Sequence, residues 1–146
     1  MPATITPFLW FDGNLQEAVS FYASVFKQSR IISTNPMSAH FEIEGQRFMG
    51  LNGGPHFKFN EAVSFFISVQ TQAEIDYYWE ALTGDGGAEG QCGWLKDRFG
   101  LSWQVIPEKL GQLLSDPDRA RAERVVGAMM RMKKIIIADL EQAAAS

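Results

Sequence analysis

From Ile5 to Phe11 the chain is apolar apart from Thr6, and Asp12-Gly13 then breaks the run. This is the pattern of a short strand closed by a turn, with Pro7 near its start, where a missing ladder donor costs least. The period then changes. Leu15, Ala18, Val19, Tyr22, Val25 and Phe26 fall on one helical stripe, behind Asn14 as N-cap and Glu17 three residues later. Next come a short strand at Ile31-Ile32, a loop at Asn35-Pro36, and a hairpin with arms Ala39 to Ile43 and Arg47 to Leu51 about Glu44-Gly45-Gln46. Asn52-Gly53-Gly54-Pro55 opens a loop that runs to about Asn60.

The series then restarts. Ala62 to Val69 alternates as a strand, with Phe65, Ile67 and Val69 on one face and Ser64, Phe66 and Ser68 on the other. Thr71 and Glu74 form a capping box, and Ile75, Tyr78, Trp79 and Leu82 give a second amphipathic stripe. A glycine-rich connection, Gly84 to Gly90, flanks a short strand. Cys92 to Pro107 reads as a hairpin whose turn lies between Asp97 and Gly100, with Ser102, Gln104 and Ile106 on one face of its second arm and Trp103 and Val105 on the other. Asn14 and Thr71 differ by 57 in number, as do Glu17 and Glu74, Tyr22 and Trp79, and Pro7 and Ser64. The chain therefore carries a duplicated unit of strand, helix, then three strands. After Pro107 come Lys109 to Leu114, then a helix from Asp116 as N-cap with Pro117 at the first helical position to about Arg131, and a last helix at Lys133 to Ala145.

With 146 residues, 46% hydrophobic and 21% charged, the chain fits one α+β domain, 1–146. It divides into module one, 1–60, module two, 61–107, and a helical extension, 108–146. A net charge of −4 and a pI of about 5.1 supply no basic surface for nucleic acid. Cys92 is the single cysteine, so no intramolecular disulfide and no thiolate cluster form. Met1-Pro2-Ala3-Thr4 places no basic segment ahead of an apolar run, and no apolar run reaches the roughly 20 residues that span a bilayer. No signal peptide, no membrane partner and a cytoplasmic location are the expectations.

Several stretches together resemble the glyoxalase, or vicinal-oxygen-chelate, superfamily, and within it the PhnB-like group labelled 3-demethylubiquinone 3-methyltransferase-like. They are Thr6-Pro7-Phe8-Leu9-Trp10-Phe11-Asp12-Gly13 with Phe21-Tyr22, Leu51-Asn52-Gly53-Gly54-Pro55 with Phe57-Lys58-Phe59, Cys92 to Gly100 with Ser102-Trp103-Gln104, and Met132-Lys133-Lys134-Ile135. The resemblance implies paired βαβββ modules, each giving a curved sheet to a cavity, and a homodimer. It also implies four metal-holding positions, which carry over to Pro7, Met49, Ser64 and Gln104. A divalent ion of the kind such enzymes use wants imidazole or carboxylate, whereas these four offer no side-chain donor, a thioether and two neutral oxygens, so a metal-free cavity without cofactor is expected. The methyltransferase label finds no support in Gly50-Leu51-Asn52-Gly53-Gly54-Pro55, which runs into proline and aromatics, not from a strand into a helix.

The expected site is an apolar pocket for a small organic molecule bounded by Met49, Ser64, Phe66, Trp94 and Gln104, with Ser64 and Gln104 orienting the ligand. Two other readings stay open: a metal-dependent isomerase, lyase or dioxygenase using unidentified ligands, and a protein that binds aromatic antibiotics, as bleomycin-resistance proteins do. Whether the chain is an enzyme is left open with them. Cys92 reads as a semi-buried strand residue before a nucleophile, and His40 and His56 as exposed or satisfied before general bases. Asp97 is expected to fix its turn, with Lys96 and Arg98 solvated. Trp10, Trp79 and Trp103 fall on the helix-packing parity, Trp94 is either core or pocket wall, and Met129, Met130 and Met132 form a helix or dimer contact surface.

Overall fold

The computed structural model describes residues 2–146, so Met1, the first residue of the stretch read for a leader, lies outside it. The chain forms two compact units, one ending at Phe59 and the other beginning at Asn60. In the first, β1 (Phe8–Phe11), α1 (Leu15–Val25), β2 (Ser29–Thr34), β3 (Ser38–Ile43) and β4 (Gln46–Asn52) follow in order. They make a four-stranded sheet ordered β1-β4-β3-β2, with β1 parallel to β4 and the other pairs antiparallel. The predicted stripe of α1 is buried, together with Leu9, Phe11, Ala39, Phe41, Ile43 and Phe48 from one face of the sheet. Burying each of the large apolar side chains contributes about 1.5–3 kcal/mol. Glu44 and Gly45, both at positive φ, make the two-residue turn that suits the twist of the β3–β4 hairpin.

The second unit repeats the plan with β5 (Ser64–Val69), α2 (Gln72–Thr83), β6 (Ala88–Glu89), β7 (Trp94–Lys96) and β8 (Ser102–Pro107). Its sheet is ordered β5-β8-β7-β6, and β5 runs parallel to β8. The capping box at α2 forms as expected: Thr71 Oγ1 accepts from Glu74 N–H, and the Glu74 carboxylate accepts from Thr71 N–H at 3.1 Å. Three helices follow, α3 (Glu108–Leu114), α4 (Arg119–Met130) and α5 (Ile137–Ala145). Paired βαβββ modules with C-terminal helices are thus the observed architecture. No helix among the described residues is long and apolar enough to cross a membrane.

One residue breaks the simple duplication. α1 and α2 begin 57 positions apart, at Leu15 and Gln72, but β1 and β5 end 58 apart, at Phe11 and Val69. The extra residue lies in the Asp12-Gly13 turn, where Gly13 adopts a φ of +79°. Because strand side chains alternate, a one-residue offset exchanges the two faces. Pro7 therefore does not match Ser64; Thr6 does. Phe8 and Trp10 lie on the open face, away from α1, while Leu9 and Phe11 are buried against it. Trp10, expected in the core, is instead half-buried on the open face, with its N–H donated to Gly54 O at 2.9 Å and its ring against the edge of Phe57.

Two expected caps also move. Asn14 precedes α1 but makes no side-chain cap; the Leu15 N–H donates instead to Asn52 Oδ1 at 2.9 Å, from the end of β4. At α4 the cap is Asp118, not Asp116; Asp118 accepts from Arg121 N–H, and Asp116 accepts from Asp118 N–H at 2.8 Å. The C-terminal segment is tied into the second unit at several points. Cys92 and Gly93 donate backbone N–H groups to the carbonyls of Met132 and Lys133, each at 2.8 Å. Gln72 donates to Ile135 O at 3.0 Å and accepts from Ile137 N–H at 2.9 Å, while Ile135 and Leu140 are fully buried.

Candidate functional site: the open face of the second sheet

α2 covers the side of the second sheet that carries Leu95, Trp103, Val105 and Val69, all buried. Alternation sends the other residues to the opposite, open face. There the register lines up Phe66, Gln104 and Trp94 as one row across β5, β8 and β7, and Ser64, Ser102 and Lys96 as the next. The two rows are tied diagonally, because Gln104 Nε2 donates to Ser64 Oγ at 3.0 Å. Phe66, Trp94 and Gln104 line a groove of about 680 Å³, whose far wall is α3, from Glu108 to Leu114, with Met129 and Cys92 at its edge. That size falls within the range of small-molecule sites.

The hydrogen-bonding inventory of this face is specific. Three of the four indole N–H groups are spoken for: Trp10 by Gly54 O, Trp79 by Glu89 Oε1 at 3.2 Å, and Trp103 by Asp97 Oδ2 at 2.9 Å. The N–H of Trp94, on the groove wall, donates to no group among the described residues. Gln104 keeps its carbonyl oxygen free, and Ser64, which accepts from Gln104, keeps its own proton to donate. Ser102 was not singled out by the sequence reading, although its parity with Gln104 was evident. Its Oγ is buried without a partner among the described residues, beside a second hollow of about 600 Å³ that Trp94 also borders.

Met49 lies in the other compact unit. It sits on the open face of the first sheet, directly across from Phe8 on one side and His40 on the other. His40 is thus an exposed strand residue, and His56 is exposed in the loop beyond β4. Asp97 is 2% exposed and fixes its turn, Oδ1 accepting from the N–H groups of Phe99 and Leu101. The flanking cations are not simply solvated. Lys96 pairs with Glu61, lowering that carboxyl's pKa chiefly through the hydrogen bond, and Arg98 pairs with Asp85 at 3.6 Å and lies over the ring of Phe99. Cys92 is half-buried at a φ of +59°, its Sγ 4.0 Å from Met130 Sδ.

The donor chemistry does not fit the divalent metal that the superfamily implies. Replacing Pro7 by Thr6 as the strand-start position still leaves a hydroxyl, a thioether, a second hydroxyl and an amide. The Ser64 oxygen, moreover, already faces an N–H donor. Among the described residues no three His, Cys, Asp or Glu side chains converge as a metal-holding group.

This duplicated α+β fold is glyoxalase-like. It is shared with a glyoxalase/bleomycin resistance protein from Albidiferax ferrireducens, 14% identical over 72% of this chain and 98% of that one with a TM-score of 0.52. A fosfomycin resistance protein from Listeria monocytogenes, solved with Mn(II) and sulfate, matches at 15% identity over 77% and 98% with a TM-score of 0.57. Residues 3–106 match the family described as 3-demethylubiquinone-9 3-methyltransferase, and the chain belongs to that family. A PhnB protein from Bacillus cereus is 32% identical, with 72% of this chain covering 99% of it at a TM-score of 0.65. No curated protein matches the chain. Met132 to Ile135, which contributed to the resemblance, lies beyond the matched residues.

Proposed function

We propose that this chain binds a small, planar, largely apolar organic molecule in the groove on the open face of its second sheet, without a metal. The row Phe66–Gln104–Trp94 carries the reading, because it presents two aromatic side chains and, between them, unused hydrogen-bonding capacity. Aromatic contact supplies affinity, while the Trp94 N–H and the Gln104 carbonyl orient a ligand that carries both an acceptor and a donor; Ser64, which is not on the groove lining, holds the Gln104 amide in place. Among the described residues none has the geometry of a nucleophile with its base, so binding is proposed and no reaction is assigned. The methyltransferase name belongs to the family; no strand-to-helix glycine turn supports it here, since Gly50 to Pro55 leaves β4 for a loop. Assembly as a homodimer belongs to the same reading, supported by the edge strand β2, which exposes Ile31 and Ile32.

Titration with 7-hydroxyflavone, followed by thermal shift and flavone fluorescence, tests the binding. Wild-type protein is expected to gain stability with ligand. Trp94→Phe, which keeps a ring but loses the N–H, should weaken binding roughly 2- to 10-fold. Stoichiometric zinc, iron or manganese in protein purified without chelator, or no shift with any planar probe, would sink the reading. Light scattering at micromolar concentration gives the dimer mass or overturns the homodimer.

A further inference from the structure

The groove has a wall that the family match does not include. Its floor is sheet, with Phe66, Trp94 and Gln104, but its opposite side is helix α3, which lies past residue 106, where the match ends. This wall is anchored. α3 packs on β8, α4 and α5, and the segment after α4 is fastened by the Cys92–Met132 and Gly93–Lys133 backbone bonds and by buried Ile135. In the middle of α3 stands Gly111, a residue that weakens a helix relative to almost any other. It lines the groove, and a Cβ built on it meets nothing within 4 Å. Packing does not require the glycine, and no positive φ calls for one. Pro107 and Leu114, four residues before and three after it on the same helix face, also line the groove, so a side chain at this exposed position would stand in open space beside it.

We infer that the C-terminal extension sets the size of molecule the groove accepts, with Gly111 as the specificity-determining position. The inference rests on the binding reading above and deepens it. Glu108 is the one charged side chain on the lining, so the groove favours neutral or cationic molecules over anions.

The experiment compares wild type, Gly111→Ala and Gly111→Trp for binding of 7-hydroxyflavone and of the shorter 2-naphthol. Both substitutions should fold with a Tm at or above wild type, because space is open and a helix glycine is removed. Gly111→Ala is expected to bind both probes within about threefold of wild type. Gly111→Trp is expected to lose 7-hydroxyflavone by tenfold or more while holding 2-naphthol within about threefold, the indole occupying the end of the groove. Unchanged flavone affinity in a folded Gly111→Trp protein would overturn the inference and leave the binding reading standing; wild type that binds neither probe would overturn both. A wild-type dimer that Gly111→Trp converts to monomer would assign the groove to a second copy of the chain and also overturn it.

Discussion

The indole N–H of Trp103 donates to Asp97 Oδ2 at 2.9 Å across the turn that joins β7 to β8, in a site closed to solvent. The other carboxylate oxygen takes the N–H groups of Phe99 and Leu101, so one side chain satisfies three donors and holds the row that carries Trp94 and Gln104 in register. Asp97→Asn keeps the two backbone bonds but turns an NH₂ toward the indole, donor against donor. A loss of about 1–3 kcal/mol is expected from urea unfolding at neutral pH, with more for Asp97→Ala. Wild-type stability in Asp97→Asn would show that the indole bond contributes nothing.

The start of α1 is capped by a residue 37 positions away. Asn52 Oδ1 accepts from Leu15 N–H, and its Nδ2 donates to Gln16 Oε1 at 3.0 Å and Pro36 O at 3.1 Å, tying helix, loop and strand end together. Asn14, the residue in the usual capping position, makes no such bond. Asn52→Ala should therefore destabilise by about 1–2 kcal/mol and Asn14→Ala by only a few tenths. Chemical denaturation of the two variants decides the point, and the reverse order would refute the assignment.

The architecture was readable because it rests on local periods: stripes at 3.6, alternation at 2, and the Thr71–Glu74 box all sit within a few residues of each other. Alternation grouped Ser64 with Phe66 on one strand and Ser102 with Gln104 on another, and the parallel register of β5 and β8 makes those two groups one face. What failed was whatever depended on counting across a turn or reaching across the chain. The extra residue at Asp12-Gly13 reversed the parity of β1, which put Trp10 on the open face and moved the strand-start position from Pro7 to Thr6. The Asn52 cap and the Lys96–Glu61 pair join residues with no local pattern between them. Gly111 gave no signal, because a glycine inside a helical stretch reads as weakness until the space beside it is seen.

Acid should loosen the contact between α2 and the C-terminal extension. Lys134 hydrogen-bonds Asp76 at 2.8 Å, and with Gln72 this holds the Asp76 pKa below its ordinary 3.8. A depressed folded-state pKa means that the contribution is complete above the unfolded value and is lost as pH falls through the folded one. Stability of wild type should drop as pH falls below about 4 more steeply than that of Asp76→Asn, which lacks this titration. The pair is half exposed, so added salt should narrow the difference. Parallel acid limbs in urea unfolding of the two proteins would exclude a role for Asp76.

A last prediction concerns how closely the loop after β4 approaches Trp10. A Cβ on Gly53 would lie 2.3–2.5 Å from three atoms of the indole, a clash that neither the ring, held by Gly54 O, nor the backbone can avoid without shifting. Gly54 is the opposite case: its φ of +93° resists a side chain, yet nothing lies within 4 Å of where one would be. Both Gly→Ala changes should lower stability, Gly53→Ala by about 1–3 kcal/mol through overpacking and Gly54→Ala by about 1 kcal/mol or more through backbone strain. They separate by spectroscopy. Gly53→Ala must displace the ring from Gly54 O and from the edge of Phe57, so the indole N–H resonance of Trp10 in an ¹⁵N-labelled sample should move strongly. Gly54→Ala should change that resonance far less, and equal shifts in the two variants would mean that the ring does not pack against Gly53.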